Sequence, residues 1–346
     1  TKEIINTLVD ANGKINHFLP RNEAIHYSKK ELPIAPYTMG ALLGDGSISN
    51  SISISNTDLE LLQKVSSELE PLNCYLTNDG RSIVYNIRSK LYNNKPARQV
   101  VIVDRTTGTE SIYDSVGKAV VATGINRSTL ASRCEKELLV DGKQYKFLDK
   151  KENWSNPVKN ITENLGLAGC KAWEKFVPGI YKYSSVNDRL ELLRGLMDTD
   201  GTVKKTGEAS FTTTSKKLAD DVVEIVRSLG GRASRRERNR VGKSSLLTSG
   251  RQIVSRRVSY EFTISLPQSM NPFYVSRKSE RHNSKYIHSV GILSIEDTGK
   301  EKEVQCIRVD NDEHLYITDD FIVTHNTLED KMLPWLKPIQ DNLQFL

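Results

Sequence analysis

Two segments of this chain carry the same pattern, and the repetition limits the folds that the chain can adopt. Residues 38–46 read TMGALLGDG and residues 193–201 read LRGLMDTDG, each an apolar helical stretch with small residues that ends in Asp-Gly. A strand pattern follows each segment, at residues 51–55 and 209–213, and an amphipathic helix pattern follows each strand. This repeated order indicates an internal duplication and predicts two halves related by a pseudo-two-fold axis.

The terminal aspartates of these segments, Asp45 and Asp200, are the candidate catalytic and metal-binding residues. Small residues four positions apart allow two helices to approach closely. The small residues here are Gly40, Gly44, Gly195 and Thr199. Carboxylates that meet at the ends of such helices repel unless a cation lies between them, and Mg²⁺ prefers carboxylate and phosphate oxygens. The pattern favours Mg²⁺-assisted phosphodiester hydrolysis. The alternative, a simple Asp-Gly helix cap, is weakened because the pattern occurs twice.

Residues 104–150 form a predicted insertion within the first copy. Residues 115–123 have a helix pattern, Gly124 and Ile125 a tight turn, and Asn126 can cap a second helix over residues 127–134. Two short helices around a glycine turn are typical of a helix-turn-helix DNA-binding unit. The predicted DNA contacts at the start of the second helix are Arg127, Ser128, Thr129 and Arg133.

Basic charge is concentrated in one region of the chain. The 346 residues include 49 basic and 43 acidic side chains, a net charge of +6, which matters only where it is clustered. Nine basic residues fall within residues 232–257, where Glu237 is the only acid. Alternating apolar and basic residues place part of this run on strands that could bind DNA; a solvated charged loop is the alternative. The predicted DNA contacts here are Arg235, Arg236, Arg238, Arg240, Arg256 and Arg257.

Cysteine spacing and hydropathy exclude several other classes of protein. The four cysteines are far apart and form no CxxC pair, which argues against a zinc site or a disulfide framework and fits a reducing compartment. No apolar run approaches the roughly 18 residues of a membrane span, and the N-terminus has no signal-peptide pattern. We therefore expect a cytoplasmic protein without a membrane partner, in a phage or bacterial host.

The paired segments resemble the signature helices of the LAGLIDADG homing endonucleases. LRGLMDTDG matches closely, whereas TMGALLGDG departs at its ends but keeps the final Asp-Gly. Over residues 36–285 the resemblance implies an α+β fold of two αββαββα-type halves, acting as a pseudo-symmetric monomer. It further implies strands in the major groove of double-stranded DNA and staggered cleavage of both strands, with the catalytic acids at Asp45 and Asp200. The insertion resembles helix-turn-helix repeats that accompany homing nucleases.

The tail of the chain carries a second chemistry. An Asn side chain can attack its own carbonyl and cut the chain, a neighbouring His can protonate the leaving amine, and a following Thr supplies a hydroxyl nucleophile. The tail CIRVDNDEHLYITDDFIVTHNT ends a predicted β-meander in this way and resembles the C-terminal splicing region of inteins. The resemblance implies that Asn326 cyclises with help from His325 and His314, and that Thr327 begins the downstream host protein.

Cys306 adds a detail to this resemblance. A minority of inteins that lack an N-terminal nucleophile use a cysteine at the corresponding strand position, together with a threonine just before His-Asn. Cys306 and Thr324 occupy those positions. The alternative is that Cys306 is simply a buried strand cysteine.

Together these features predict a modular chain with β-rich, Hint-type splicing segments around a nuclease. We expect the splicing activity to be incomplete without an N-terminal intein half, so the chain is expected to be truncated or naturally split. The last twenty residues resemble a segment of PhoH-like P-loop ATPases, but no GxxxxGK[ST] is present. The expected domains are an N-terminal splicing remnant (1–35), the first nuclease half (36–103), the insertion (104–150), the second nuclease half (151–285), the C-terminal splicing segment (286–326) and a C-extein fragment (327–346).

The sequence thus favours an intein-encoded homing endonuclease that makes site-specific, staggered double-strand breaks, with Asn cyclisation at its C-terminal junction. Two alternatives stay open. One is a DNA-binding protein, either a catalytically inactive intein remnant or a helix-turn-helix regulator, which the presence of both acids argues against. The other is a function that follows the ATPase host, which the shortness of that match argues against.

Overall fold

The computed structural model describes residues 2–49, 51–90, 97–148, 156–246, 252–283, 285–296, 299, 307, 309–310 and 312–325. Its helices are α1 (Lys2–Asn6), α2 (Pro36–Gly44), α3 (Leu59–Leu69), α4 (Val116–Thr123), α5 (Arg127–Glu135), α6 (Pro157–Asn164), α7 (Gly179–Lys182), α8 (Val186–Thr199), α9 (Lys216–Ser228) and α10 (Ser276–Ser279). Short 3₁₀ turns cover Glu70–Leu72 and Asp319–Phe321.

The strands are short and pair antiparallel. In chain order they are β1 (Phe18–Pro20), β2 (Gly46–Ile48), β3 (Ile52–Ser55), β4 (Cys74–Thr77), β5 (Val84–Ser89), β6 (Val100–Asp104), β7 (Glu110–Tyr113), β8 (Leu139–Val140), β9 (Lys143–Phe147), β10 (Gly201–Val203), β11 (Ala209–Thr213), β12 (Arg232–Arg238), β13 (Ser244–Leu246), β14 (Gln252–Val254), β15 (Ser259–Ser265), β16 (Ser289–Gly291), β17 (Leu315–Ile317) and β18 (Val323–His325). The predicted α+β class is confirmed.

Two four-stranded sheets have the same topology. The first has the order β2-β3-β5-β4 and the second β10-β11-β15-β12. A helix precedes each sheet (α2 or α8), and another separates its second and third strands in the chain (α3 or α9). The two halves share one hydrophobic core, in which Leu42, Leu193 and Phe211 are buried. The repeated sequence pattern therefore corresponds to a repeated arrangement in space.

Helices α2 and α8 pack together through glycine. Pro36 begins α2 at a position where a missing N–H costs nothing, and Ser185 caps α8 by accepting a hydrogen bond from the Asp188 N–H. A Cβ atom added to Gly40 would lie 2.1 Å from the Leu192 carbonyl oxygen. One added to Gly195 would lie 2.1 Å from the Tyr37 carbonyl oxygen. The two helices thus touch backbone to backbone.

We expect Gly40→Ala and Gly195→Ala each to lower the free energy of unfolding by about 3 kcal/mol, because the added methyl must push the helix backbones apart. Chemical denaturation measures this loss. Gly117→Ala is the matched control: Gly117 lies in exposed helix α4, where Ala meets no backbone atom and should stabilise by up to about 1 kcal/mol. Equal effects at all three positions would contradict the close packing.

The insertion folds around its own small core. Strands β6, β7, β8 and β9 form a sheet of order β7-β6-β9-β8, and α4 and α5 cover one face of it. Val100 and Ile102 of β6 are buried there beside Leu130 and Tyr145. Strand β6 ends at Asp104, so the sheet of the insertion starts before the expected boundary at residue 104. Strand β6, an apolar run, pairs with β9 of the insertion and not with a strand of the β2-β3-β5-β4 sheet.

The segments before and after the two repeated halves form short two-stranded pairings. Strand β1 pairs with β16, and β17 pairs with β18 as a hairpin. An isolated bridge joins Arg21 to Ile322, and Arg227 of α9 forms an ion pair with Asp320. The β17–β18 hairpin is therefore attached to the second of the two repeated halves, at α9. Among the described residues, every helix is too short or too polar to cross a bilayer.

Candidate active site and nucleic-acid interface

Asp45 and Asp200 each follow the last residue of a packed helix, and the structure brings them together. A Cβ atom on Gly44 would lie 3.5 Å from the Asp200 carboxylate, which shows how near the two helix ends are. Asp45 is half-buried. Asp200 presents part of its surface to solvent, but protein surrounds it on its other sides, so its charged form is poorly solvated.

Burial acts on both carboxyl groups, and the charge of Asp45 acts in addition on Asp200. Burial, and after it the negative charge of Asp45, raises the pKa of Asp200 to about 6. Burial also raises the pKa of Asp45, while a hydrogen bond from Asn56 opposes this rise. Two carboxylates in this state gain from a cation placed between them.

Metal-free Asp200→Asn should be more stable than the wild-type protein at pH 8. The folded-state pKa of Asp200 is about 6 and its ordinary value is 3.8, so the folded protein holds this proton more tightly and loses stability as pH rises between these values. The substitution removes that loss, and its benefit should vanish below about pH 4. Thermal denaturation in a chelator measures it; a lower melting temperature for the variant at pH 8 would contradict the assignment.

Two buried lysines hold the helix ends, and the sequence patterns did not reveal them. Lys175 donates from Nζ to the carbonyl oxygens of Leu42, Gly44 and Gly46 at 3.0, 2.9 and 2.7 Å. All three protons of the ammonium group are therefore used. Burial lowers the pKa of Lys175 to about 8, while Asp200 and Asp45 oppose the shift.

Lys278 repeats this arrangement in the second half. Its Nζ donates to the carbonyl oxygens of Met197, Asp198 and Gly201 at 2.9, 2.6 and 2.7 Å. Lys175 lies in a loop and Lys278 in the short helix α10, within segments of different sequence, so aligning the two copies does not pair them. The only sequence signal is a lysine close to an aromatic-Val pair or triplet, Phe176-Val177 in one loop and Phe273-Tyr274-Val275 in the other, and that signal is weak.

The lysines and acids act across the two halves. Lys278, held at the end of α8, lowers the pKa of Asp45 more than Lys175 does. Lys175, held at the end of α2, lowers the pKa of Asp200 more than Lys278 does. Of the two lysines, the one at the helix end of the opposite half thus has the larger effect on the pKa of each carboxyl group.

Asn56 makes the two acids unequal. Its Nδ2 donates to Asp45 Oδ2 at 2.7 Å, from the residue just after β3. The residue at the corresponding register position in the second sheet is Thr213, the last residue of β11, whose hydroxyl instead accepts from the Ser215 N–H at 3.2 Å. In the described part of the chain no side chain donates a hydrogen bond to Asp200, so the second acid lacks this support.

Asp198 is a third acid in the second motif, but it has a different place. It is buried, and its Oδ2 accepts from the Tyr37 hydroxyl at 2.8 Å and from the N–H groups of Tyr274 and Val275 at 3.1 and 3.2 Å. These bonds tie the segment just before α10, the short helix that carries Lys278, to both α2 and α8. Asp198 therefore joins the halves and does not face the cleft.

Strand β12 divides the predicted DNA-binding arginines between two faces of its sheet. Ala233 and Arg235 face α9, where Arg235 forms an ion pair with Asp220. Arg236 and Arg238 alternate with them and lie on the opposite face. Arg235 is therefore on the side away from the exposed sheet surface, which differs from its expected role.

The first and second sheets differ in the charge of that exposed surface. In the second sheet it carries Lys204 beside Thr263, with Arg236 and Arg238 at the edge. In the first sheet, Ser53, Thr77, Asn86 and the exposed Arg88 occupy this face by register, so the first sheet carries fewer positive charges there than the second. Arg240 and Arg256 are exposed, whereas Arg257 stacks on Trp173 with its guanidinium carbon 3.6 Å from the ring centroid.

One of the two paired acids, Asp200, lies within a segment that matches a known domain family. Residues 187–263 match the LAGLIDADG-like domain. This match runs from α8 through Asp200 and α9 to β15. A solved structure of mesophilic variants of the homing endonuclease I-DmoI is similar over 68% of this chain and 89% of its own, at 12% identity and a TM-score of 0.31.

Several curated proteins are also similar in sequence. The replicative DNA helicase DnaB of Mycobacterium intracellulare is 24% identical over 341 residues, which cover 94% of this chain and 41% of the helicase. RecA of Mycobacterium tuberculosis is 29% identical over 124 residues, 34% of this chain and 16% of RecA. DnaB of Synechocystis is 35% identical over 101 residues, 27% of this chain and 12% of that protein. The chain thus spans less than half the length of these relatives.

Among the described residues, few other metal ligands accompany the paired acids. Within the described ranges, no three His, Cys, Asp or Glu side chains converge as they do in an all-protein metal centre. Two carboxylates suit Mg²⁺, which takes only one or two from protein and the rest from water and phosphate.

Of the four side chains of the insertion that were predicted to contact DNA, three are exposed. Arg127, Ser128 and Thr129 are exposed at the start of α5, where the Asn126 side chain accepts from the Ser128 N–H and caps the helix. Arg133 instead packs over the Tyr145 ring, 5.1 Å from its centroid, and donates to the Tyr145 hydroxyl at 3.4 Å. Arg133 thus holds α5 on β9.

The splicing-like tail is described only in part. His314 precedes β17 with a φ of 54°, and Thr324 lies in β18 opposite Tyr316. His325 ends β18 opposite Leu315. The positions of Cys306, Asn326 and Thr327, and most of the predicted strand 304–309, lie outside the described residues.

Proposed function

We propose that this chain is a site-specific DNA endonuclease of the LAGLIDADG homing type, carried in a protein-splicing element. The observation that carries the nuclease proposal is the pair of acids at adjoining helix ends, each beside a buried lysine. Paired carboxylates suit phosphodiester hydrolysis because they can hold metal ions against phosphate oxygens.

Asp45 and Asp200 would hold Mg²⁺, and the residues present fit it, since each carboxylate raises the free energy of the other. When bound, the metal stabilises charge on the attacking and leaving oxygens. Lys175 and Lys278 fix the carbonyls next to each acid, and so fix the acids in place. The two halves are related by a pseudo-two-fold axis, as are the two strands of a DNA duplex. We therefore assign one acid to each DNA strand.

DNA would lie on the outer faces of the two sheets, with the insertion extending the contact. Arg236, Arg240 and Arg256 would contact phosphates, and the exposed start of α5 would reach an adjacent groove. The insertion has its own core, to which β6 belongs, so deletion of β6 together with the rest of the insertion (residues 97–148) should shorten the recognised site and leave the nuclease fold in place.

Neutralising Arg236, Arg240 and Arg256 together should weaken DNA binding and reduce the slope of log K against log salt by about one unit for each lost phosphate contact. Binding titrations between low and moderate salt measure the slope. Arg235→Gln is the control, because Arg235 is paired with Asp220 on the other face and should leave the slope nearly unchanged. An unchanged slope in the triple variant would place these arginines away from DNA.

The relatives support the proposal of an inserted element. The same chain resembles parts of DnaB and of RecA, two differently named proteins, and accounts for 41% and 16% of their lengths. A segment shared by unlike proteins is what a mobile insertion would produce. The splicing residues would be Asn326, His325, His314 and Thr327, with Cys306 and Thr324 as a further pair.

Cleavage of a randomised DNA library tests the proposed nuclease. The protein is incubated with library DNA and Mg²⁺, and the new ends are captured and sequenced. Staggered ends at one recurrent sequence are expected. If the protein binds one specific sequence but produces no new ends, it is an inactive DNA-binding relative. If it binds no specific sequence, both the nuclease and the DNA-binding interpretations are wrong.

A further inference from the structure

Glu261 stands out on the face that the proposed function turns toward DNA. It lies in β15 directly before Phe262, which is buried in the core with Ile264 and points to the opposite face. Its register partner on β12 is Arg236. A carboxylate here would be repelled by phosphates, so it weakens general DNA binding unless it has a specific use.

The contact that Glu261 makes suggests that use. Arg238 Nε lies 2.8 Å from Glu261 Oε2, and the two side chains form an ion pair. The side chain of Arg238 is 41% exposed and that of Glu261 31%. In the described part of the chain neither Nη group of Arg238 has a protein acceptor. The planar edge formed by the two Nη groups is therefore oriented by the protein but left open to a ligand.

An oriented, open guanidinium edge matches one base. Guanine presents two acceptors, O6 and N7, at the major-groove edge, and a guanidinium can bind both at once. Because the carboxylate fixes the guanidinium plane beforehand, less side-chain freedom is lost on binding. The Glu261 carboxylate also offsets the positive charge of Arg238. A nearby phosphate therefore attracts Arg238 less strongly than it would attract an unpaired arginine.

A purely stabilising role fits less well. An exposed ion pair between neighbouring strands contributes little to the stability of a fold. The neighbouring Arg235–Asp220 pair shows the contrast, since it lies on the helix side of the sheet and joins β12 to α9.

We propose that Arg238, positioned by Glu261, reads a guanine in the major groove and sets the base preference at one position of the target. This assignment rests on the proposed function. Arg238 touches the base, and Glu261 acts through it as a positioning residue.

Selection of bound duplexes from a randomised library, without Mg²⁺ so that no strand is cut, gives the base preference at every position. The variants are Glu261→Gln and Arg238→Lys, which keep side-chain size and lose the orienting charge or the planar fork. Glu237→Gln is the matched control, since Glu237 alternates onto the opposite face of β12. Thermal denaturation checks that each variant folds.

The wild-type protein and Glu237→Gln should prefer guanine at one common position. Glu261→Gln and Arg238→Lys should each reduce that preference by about tenfold, at that position alone, and the double variant should lose little more. The salt slope of Arg238→Lys should stay unchanged because its charge is kept.

Two results would overturn the assignment. An unaltered profile in Glu261→Gln, or equal loss at every position, would show that the pair does not read a base while DNA recognition itself stands. If the wild-type protein selects no sequence, the proposed function fails together with the guanine assignment.

Discussion

Asp45→Asn and Asp200→Asn should each abolish double-strand cleavage in Mg²⁺, with a fall in rate of at least about a hundredfold. Each substitution removes a charged ligand beside the reacting phosphate, and metal-based charge stabilisation accounts for several kcal/mol of such a barrier. DNA affinity should change little, since it depends on the sheet faces and the insertion. Conversion of supercoiled plasmid carrying the selected target to nicked and linear forms measures the rate.

Strand-specific labels sharpen this experiment. Because each acid is assigned to one strand, the two variants should differ in the strand on which any residual nicking occurs. Asp141→Asn is the control, an exposed aspartate in the insertion whose φ of 51° asparagine also tolerates. If either motif variant cuts both strands at the wild-type rate, the acid pair is not the active site.

The packed motif helices could be predicted from the sequence, and the lysines could not. Small residues at a four-residue spacing and a repeated Asp-Gly are local signals, and the structure places Gly40 and Gly195 in backbone contact as they require. Lys175 reaches the end of α2 from a loop and Lys278 reaches the end of α8 from the short helix α10, each far along the chain from the motif that it contacts. Their role exists only once the two halves pack together, so no local pattern marks it.

Strand alternation explains the other differences. A run of basic residues does not by itself show which side chains share a face, and one residue of register moves an arginine to the opposite side of the sheet. The register of β12 with β15 places Arg235 beside α9 and Arg238 beside Glu261. For β6, an apolar run could belong to either neighbouring sheet, and only its pairing with β9 decides between them.

The second large effect concerns the C-terminal junction. Asn326 directly follows β18, whose pairing with β17 and attachment to α9 through Arg227 and Asp320 restrain the chain up to His325. Cyclisation requires the Asn side-chain nitrogen to align with its own carbonyl carbon, and a restrained backbone raises the rate by proximity. Addition of a complementary N-terminal intein fragment should therefore speed release of the peptide 327–346.

Asn326→Ala should block that release completely, because no other group at this bond can form the succinimide. His325→Ala should only slow it, since water can protonate the leaving amine less efficiently than a placed imidazole. Asn239→Ala, in the loop after β12, is the control and should release the peptide at the wild-type rate. Mass spectrometry of the released peptide identifies the bond. Cleavage at another bond, or release that survives Asn326→Ala, would remove the splicing assignment while leaving the paired acids of the nuclease untouched.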